Sequence, residues 1–341
     1  MQYTNDFARA TLGLGAALLI ATPNISWLLY LPALILWLFC IFLVRPRHDL
    51  VIMGSMYVGF FCVPMYLIDP STLPYNALFF TCLLFAIETF GPKADDFVHE
   101  GMIRSAPYVL FGATLLPMFL PFGSILQSRP EGVQLIGEIL RQRGFYSEPG
   151  FLGHWAALFL WLNLLRGRSC QVFVSAVVLV LSASAGAMSF LFLLLAVAGT
   201  RLSSRQLAFS LLLIAALLFA FYDQILLKIM SGSMLHRLGN FVQTFDFLMS
   251  HSFLPMGFGP IHTSVGAIGV LSFVLVLLKA FGFFVLPLIA WLFLKIGIGI
   301  RLLALLMPWF LLGNYWETPV LALPLLFMRG LKPFGRRIEK V

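Results

Sequence analysis

The chain has 341 residues, 60% of them apolar and 11% charged, with 35 Phe and a mean hydropathy of +0.96. Ordinary soluble domains carry about 25% charged residues, so this composition excludes a water-soluble fold and nucleic-acid binding as the main task, and leaves an integral membrane protein. The 22 Lys and Arg against 14 Asp and Glu give a net charge of +8, an excess to be tested first against the positive-inside rule.

A hydrocarbon layer of about 30 Å needs roughly 20 apolar residues per helix. Residues 1–22 imitate a secretion signal, but Asp6 sits in the front region and a second apolar run follows at once, so they read as a retained first span. Spans are expected at 7–22, 25–44, 51–68, 75–90, 107–122, 151–165 and 207–221, bounded by Pro, Gly or charge. With the N-terminus inside, sixteen basic residues fall in the cytoplasm: Arg9, Arg45, Arg47, Lys93, Arg104, Arg166, Arg168, Arg201, Arg205, Lys295, Arg301, Arg329 and the four of the tail from Lys332 to Lys340. Five fall outside (Arg129, Arg141, Arg143, Lys228 and Arg237), with Lys279 undecided.

The run 171–200 is too long for one span, yet its Arg-rich flanks both belong inside. Two short helices meeting at Ser182-Ala183-Ser184-Ala185-Gly186 resolve this, because small residues let helices pack closely and turn back. The same parity argument makes 262–279 a periplasmic or re-entrant segment before a span at 281–294, and further spans at 301–312 and 320–328 return the C-terminus to the cytoplasm. The expected fold is all-α: a polytopic membrane protein of about twelve transmembrane helices, one integral membrane domain over 1–341, without internal repeat or soluble domain. Cys40, Cys62 and Cys82 lie in apolar runs and Cys170 in a basic loop, with no C-x-x-C pair, so they read as packing residues.

Only two outer segments are long, 123–150 and 222–261, and long polar loops are where function concentrates. The second holds a helical pattern with Leu235, Leu238, Phe241, Phe245 and Leu248 on one face and Arg237, Asn240 and Thr244 on another, as in an amphipathic helix at the outer interface. In the first, Arg141-Gln142-Arg143 precedes Gly144-Phe145-Tyr146-Ser147-Glu148-Pro149-Gly150 and the sixth span. Two guanidinium groups beside a helix N-terminus suit a diphosphate. The same residues also suit a plainer arrangement, with Glu148 capping, Pro149 at the first helical turn and the Arg pair anchoring at the interface. Beyond Arg237, Gly257-Phe258-Gly259-Pro260-Ile261-His262 permits a tight backbone path. It places His262 at or near a helix N-terminus, either as a proton acceptor or as a polar anchor. Asp95, Asp96 and Glu100, with Lys93 and His99, read as the solvated face of an inner loop.

The Gly-Phe-Tyr-Ser-Glu-Pro-Gly run leading into a span, the basic inner loop after it and the apolar run broken at Ser-Ala-Ser-Ala-Gly together resemble the Wzy-type O-antigen and exopolysaccharide polymerases. Their usual Glu-Pro-Ser is Glu148-Pro149-Gly150 here. Arg237, Gly257-x-Gly259 and His262 are similar to the core shared by polymerases and O-antigen ligases, so the resemblance covers 141–294, including loops 123–150 and 222–261. It implies a C-type glycosyltransferase fold in the bacterial inner membrane, both termini cytoplasmic, needing no metal or cofactor. Such an enzyme takes a growing glycan from undecaprenyl diphosphate to the next lipid-linked repeat unit at the periplasmic face. It further implies Arg141, Arg143 and Arg237 as diphosphate-binding, His262 as the first choice of base with Glu148 the second, and Gly257 and Gly259 as loop-shaping. Membrane lipid, a chain-length regulator and a flippase are the implied partners.

One position departs from the resemblance: the family's Ser-Arg at the break is Ser184-Ala185 here. Two other functions remain open. An O-antigen ligase uses the same donor with a lipid A core acceptor, and a transporter or flippase moves lipid-linked sugars without making bonds. The second is disfavoured by sparse mid-membrane charge, with Glu88 near an inner end, Lys279 near a break and Glu317 in an outer turn. A purely structural scaffold leaves the polar faces of both loops unexplained.

Overall fold

The computed structural model describes residues 2–23, 27–44, 94–119, 133–136, 139–142, 144–146, 149–198, 203–220, 233–257, 261–263, 266–268 and 273–286, with single positions at 55, 78, 81, 82, 84, 85, 88, 89, 222, 226 and 270. Of the expected spans, 301–312 and 320–328 lie outside the described residues, as do nearly all of 51–68 and most of 75–90 and 281–294. The chain divides into two compact units. The first is Met1–Val44, Glu88–Leu226 and Arg329–Val341, and the second is Arg45–Ile87 and Leu227–Met328.

In the first unit, α1 (Gln2–Ala21) packs along α3 (Asp96–Phe119) and carries α2 (Trp27–Val44) on another side. The α1–α3 crossing is a contact of backbones: a Cβ on Gly13 would stand 2.7 Å from both Met102 N and Val98 O, and one on Gly101 3.2 Å from Ala10 O. Only a residue pair without side chains allows that approach. Trp37 then donates from Nε1 to Leu12 O at 2.8 Å, with its ring laid over Gly15, and Tyr30 donates to Leu19 O at 3.2 Å, so α2 is tied to α1 by two hydrogen bonds.

Helix α3 starts eleven residues before the expected 107. Asp95 caps it, its Oδ1 accepting from Phe97 N at 2.9 Å and Val98 N at 3.3 Å, while Arg9 Nε lies 3.5 Å from the other oxygen. Asp95 and His99 are buried, and His99 Nδ1 lies 3.0 Å from Thr89 O. The solvated inner loop expected here is therefore corrected for Asp95 and His99, while Asp96 is exposed and Glu100 partly so. The Asp95 carboxylate is buried because it satisfies amides of the first helical turn that burial would otherwise orphan.

Helix α4 (Pro149–Leu165) is the centre of this unit, buried at every position from Phe151 to Leu164, and it is apolar on every side, as a wholly buried helix must be. Against it lie α5 (Ser169–Ser182) and α6 (Ala185–Ala198), separated by Ala183 in the left-handed region at φ 43°, with Ala183 N donating to Val180 O. The break stands where the Ser-Ala-Ser-Ala-Gly run placed it. Ser184 Oγ accepts from Ala187 N and caps α6. Cys170, expected in a loop, sits in the first turn of α5, where Tyr108 donates to its sulfur at 3.2 Å.

The α4–α5 corner is held by Glu100 of α3. Arg166 Nε bonds both carboxylate oxygens at 2.9 and 3.2 Å, and Arg168 bonds one of them. Burial lowers the Arg166 pKa, and the adjacent Glu100 charge acts in the opposite direction. Asn163 donates to Ile103 O at 3.0 Å beside this corner. Helix α7 (Ser204–Ala220) opens with a capping box between Ser203 and Gln206, and Gln206 also donates to Leu164 O.

The described residues are mostly helical, with two short antiparallel hairpins besides: β1 (Val133–Ile136) with β2 (Ile139–Gln142) in the first unit, and β3 (Ile261–Thr263) with β4 (Gly266–Ile268) in the second. The second unit also holds α8 (Ser233–Ser250), packed on α9 (Phe273–Phe281), which ends in a 3-10 turn over Gly282–Phe284. Among the described residues no helix is long and apolar enough to cross a membrane. The uncharged α2 has 18 residues, a rise of about 27 Å, while the longer α1 and α3 carry charges.

The α1–α3 crossing gives the first prediction. Gly13→Ala forces the two backbones apart and should cost about 1–3 kcal/mol, read as a lower melting temperature of the detergent-solubilised protein. Gly112→Ala, where an added Cβ meets nothing within 4 Å, should leave it unchanged or raise it. Equal melting of Gly13→Ala and the parent would refute the crossing.

Candidate functional site

The polar segment before α4 is built as a hairpin and an anchor. Arg141 lies in β2 opposite Gln134, and β2 packs on α5. The chain then turns through Gly144 and buries Phe145 and Tyr146. Tyr146 donates to Ile20 O at 2.6 Å, a carbonyl in the last turn of α1 that has no partner within its own helix. Burial pushes this phenol well above its ordinary pKa, which keeps it a neutral donor. Pro149 then occupies the first position of α4, as the Glu-Pro pair required. Arg143 and Glu148 lie outside the described residues, as does the side chain of Arg141.

One turn into α4 stands His154, a residue the sequence reading passed over. Its Nδ1 lies 2.5 Å from Gly150 O, its ring is 5.2 Å from that of Phe190, and a Cβ on Gly186 would meet its Cε1 at 3.5 Å. The imidazole therefore borders the small-residue break. Beside it, Gly153 is so close to the break that a Cβ would fall 2.6 Å from Ser182 Oγ and 2.7 Å from Ala187 Cβ. A polar ring inside an apolar span was the available signal. Ser182, Ser184 and His154 are all buried, so the break is polar as well as small.

In the second unit Arg237 lies on α8, with its side chain outside the described residues. The helix is present where the amphipathic pattern placed it, but its buried stripe is different. Thr244 and Leu248 are buried, whereas Leu238 is 50% and Phe245 38% exposed. Phe245 is apolar yet turned outward because α8 has apolar residues on both sides, and contact with α9 and the following loop selects the Thr244–Leu248 side. The edge of Phe245 still meets Phe253, whose ring packs on Phe283 with centroids 4.7 Å apart.

The loop after α8 reaches Gly257, which has φ +78°, a conformation that favours glycine, so its loop-shaping part has a local cause. Gly259 lies outside the described residues. His262 is in the middle of β3, paired with Ala267, which corrects the expected helix N-terminus: a three-residue strand replaces the helix start. The side chain of His262 is outside the described residues.

Arg141 thus belongs to the first unit, and Arg237, Gly257 and His262 to the second. Among the described residues no group of three His, Cys, Asp or Glu gathers to hold a metal ion. No family model, no curated protein and no solved structure matches the chain.

The anchor ahead of α4 is testable. Tyr146→Phe removes the donor to Ile20 O and leaves a buried carbonyl unsatisfied, which should cost about 1–2 kcal/mol, read as a lower melting temperature. Tyr108→Phe, whose bond to Cys170 is exposed, should be near neutral. Equal effects from the two substitutions would contradict the anchoring role.

Proposed function

We propose that the chain is a membrane-embedded polysaccharide polymerase, transferring a growing glycan from undecaprenyl diphosphate to the next lipid-linked repeat unit at the periplasmic face of a bacterial inner membrane. The observation that carries it is the sequence of devices in the second unit: a helix bearing Arg237, a left-handed bend at Gly257 and a strand bearing His262. Those are the residue types that a lipid diphosphate donor and a sugar hydroxyl acceptor require.

In this reading His262 accepts the proton of the acceptor hydroxyl. The oxygen forms a bond to the anomeric carbon of the donor glycan while the bond from that carbon to the diphosphate oxygen breaks, and the electron pair leaves on the diphosphate. Arg237 holds that growing negative charge. Diphosphate is already a good leaving group, so neither a metal nor a cofactor is called for.

Membrane embedding is supported by outward apolar side chains as well as by composition. On α2, Leu36, Phe39 and Leu43 are 58–69% exposed, and on α7 Leu212 and Phe219 are 70% and 88% exposed. A water-facing surface would carry such runs only at an interface, whereas hydrocarbon is their natural solvent.

Purified protein in detergent, given lipid-diphosphate repeat units without added metal, should yield a glycan ladder on a gel. His262→Ala should lower the rate at least about 10²-fold, and Arg237→Ala about 10²-fold. A ladder undiminished in both variants would remove these residues from the site. No ladder with native repeat units, together with transbilayer movement of that lipid in liposomes, would replace the polymerase by a transporter.

A further inference from the structure

Lys279 is the one charged residue that the topology leaves unplaced, and the structure gives it a definite setting. It lies in the last turn of α9 and is 3% exposed. Its Nζ donates to Gly257 O at 2.9 Å, and its own carbonyl accepts from Met256 N at 2.8 Å. One residue therefore grips two successive residues of the loop after α8, once through its side chain and once through its backbone.

Each bond fills a need. The Lys279 carbonyl belongs to the final turn of α9, where carbonyls lack a partner within the helix. The Gly257 carbonyl belongs to a residue at φ +78°, off any strand or helix. Buried ammonium is costly and buried carbonyl also needs a donor, so each makes the other tolerable. The cation also lies at a helix C-terminus, where the helix dipole favours it. Just beyond it, Gly282 comes so close to the same loop that a Cβ would collide with Phe253 O and fall 3.1 Å from Pro255 N. The loop is thus fastened to the end of α9 from Phe253 to Gly257, immediately ahead of β3.

We infer that Lys279 is a positioning residue for the proposed transfer: its ammonium fixes the Gly257 bend, and so the start of the segment that delivers His262. The inference rests on the polymerase reading for the meaning of His262, and on the two hydrogen bonds for the clip itself. An apolar side chain of the same length would lack the donor that holds the Gly257 carbonyl.

The test reads the clip and the activity separately. Full-length Lys279→Met, Lys279→Arg and wild type in detergent are compared by amide hydrogen exchange with mass spectrometry and by the ladder assay. In Lys279→Met, exchange across 254–263 should accelerate at least tenfold while 151–165 stays unchanged, and kcat for chain extension should fall at least tenfold at unaltered KM. Lys279→Arg, which keeps donors at this place, should recover part of both. Where Lys279→Met does not fold, Lys279→Leu, which also lacks a donor, is read the same way, with faster exchange across 254–263 again required. Unchanged exchange across 254–263 overturns the clip whatever the activity does. Faster exchange with unchanged kcat overturns the positioning role. Faster exchange in a protein whose wild type makes no ladder retains the clip and overturns the polymerase reading instead.

Discussion

Gly13 and Gly101 bring the backbones of α1 and α3 into contact, and the rest of the first unit is hung from that pair. From α1, Leu12 and Leu19 offer carbonyls to Trp37 and Tyr30 of α2, and Ile20 offers one to Tyr146. From α3, Ile103 and Glu100 hold Asn163, Arg166 and Arg168 at the α4–α5 corner. Spreading the two helices by the width of one methyl group would separate the carbonyls offered by α1 from the groups held by α3. Burial of apolar area alone cannot provide this specificity in a chain where nearly every surface is apolar. Close contact and a few directed hydrogen bonds must do so.

Several polar side chains inside this unit share one habit. Tyr146, Tyr30, Trp37 and Asn163 all donate to backbone carbonyls of another helix, and Gln206 donates to Leu164 O across a loop. A carbonyl in the body of a helix has a second lone pair available, and one in the last turn, such as Leu19 O or Ile20 O, lacks a helical partner altogether. A donor side chain can therefore join two helices without leaving any group unsatisfied on the accepting side, and little further polarity is needed. The exception is the Glu100 corner, where three charged side chains meet. It lies between the end of α4 and the start of α5, with the Glu100 side chain 39% exposed and Arg168 26%, so partial solvation meets the cost that full burial of the three would impose.

What the sequence made legible depended on whether a local pattern had one reading or two. The break at 182–186 was legible because small residues flanked by Arg on both sides left a single solution to the topology, and Ala183 adopts the left-handed turn that solution needs. Helix α8 was legible as a helix, since its period is clear, yet its buried side was not, because Phe241, Phe245, Phe247 and Leu248 leave more than one apolar stripe and only α9 decides among them. The hairpins were illegible for a different reason. Strands of three and four residues are too short to show a period of two, and Arg141 and His262 were assigned to loop and helix start accordingly. Asp95 was misread because a charge cluster in an inner loop and a buried helix cap have the same composition and differ only in which amides the carboxylate meets.

Lys279 shows why chemistry in such a chain is found through geometry rather than composition. Hydropathy scored it as one stray charge at a span boundary, and charge counting could assign it to neither side. The deciding fact is a carbonyl elsewhere: a left-handed glycine bend turns its oxygen away from any regular partner, and the backbone amides in the body of α9 are already engaged within the helix. The Lys279 side chain reaches it. Lysine does so with a flexible stem that is itself apolar and packs in the core, bearing one compact group with three donors. A buried cation here is thus the counterpart of a sharply turned backbone, and that backbone leads to the strand that bears His262.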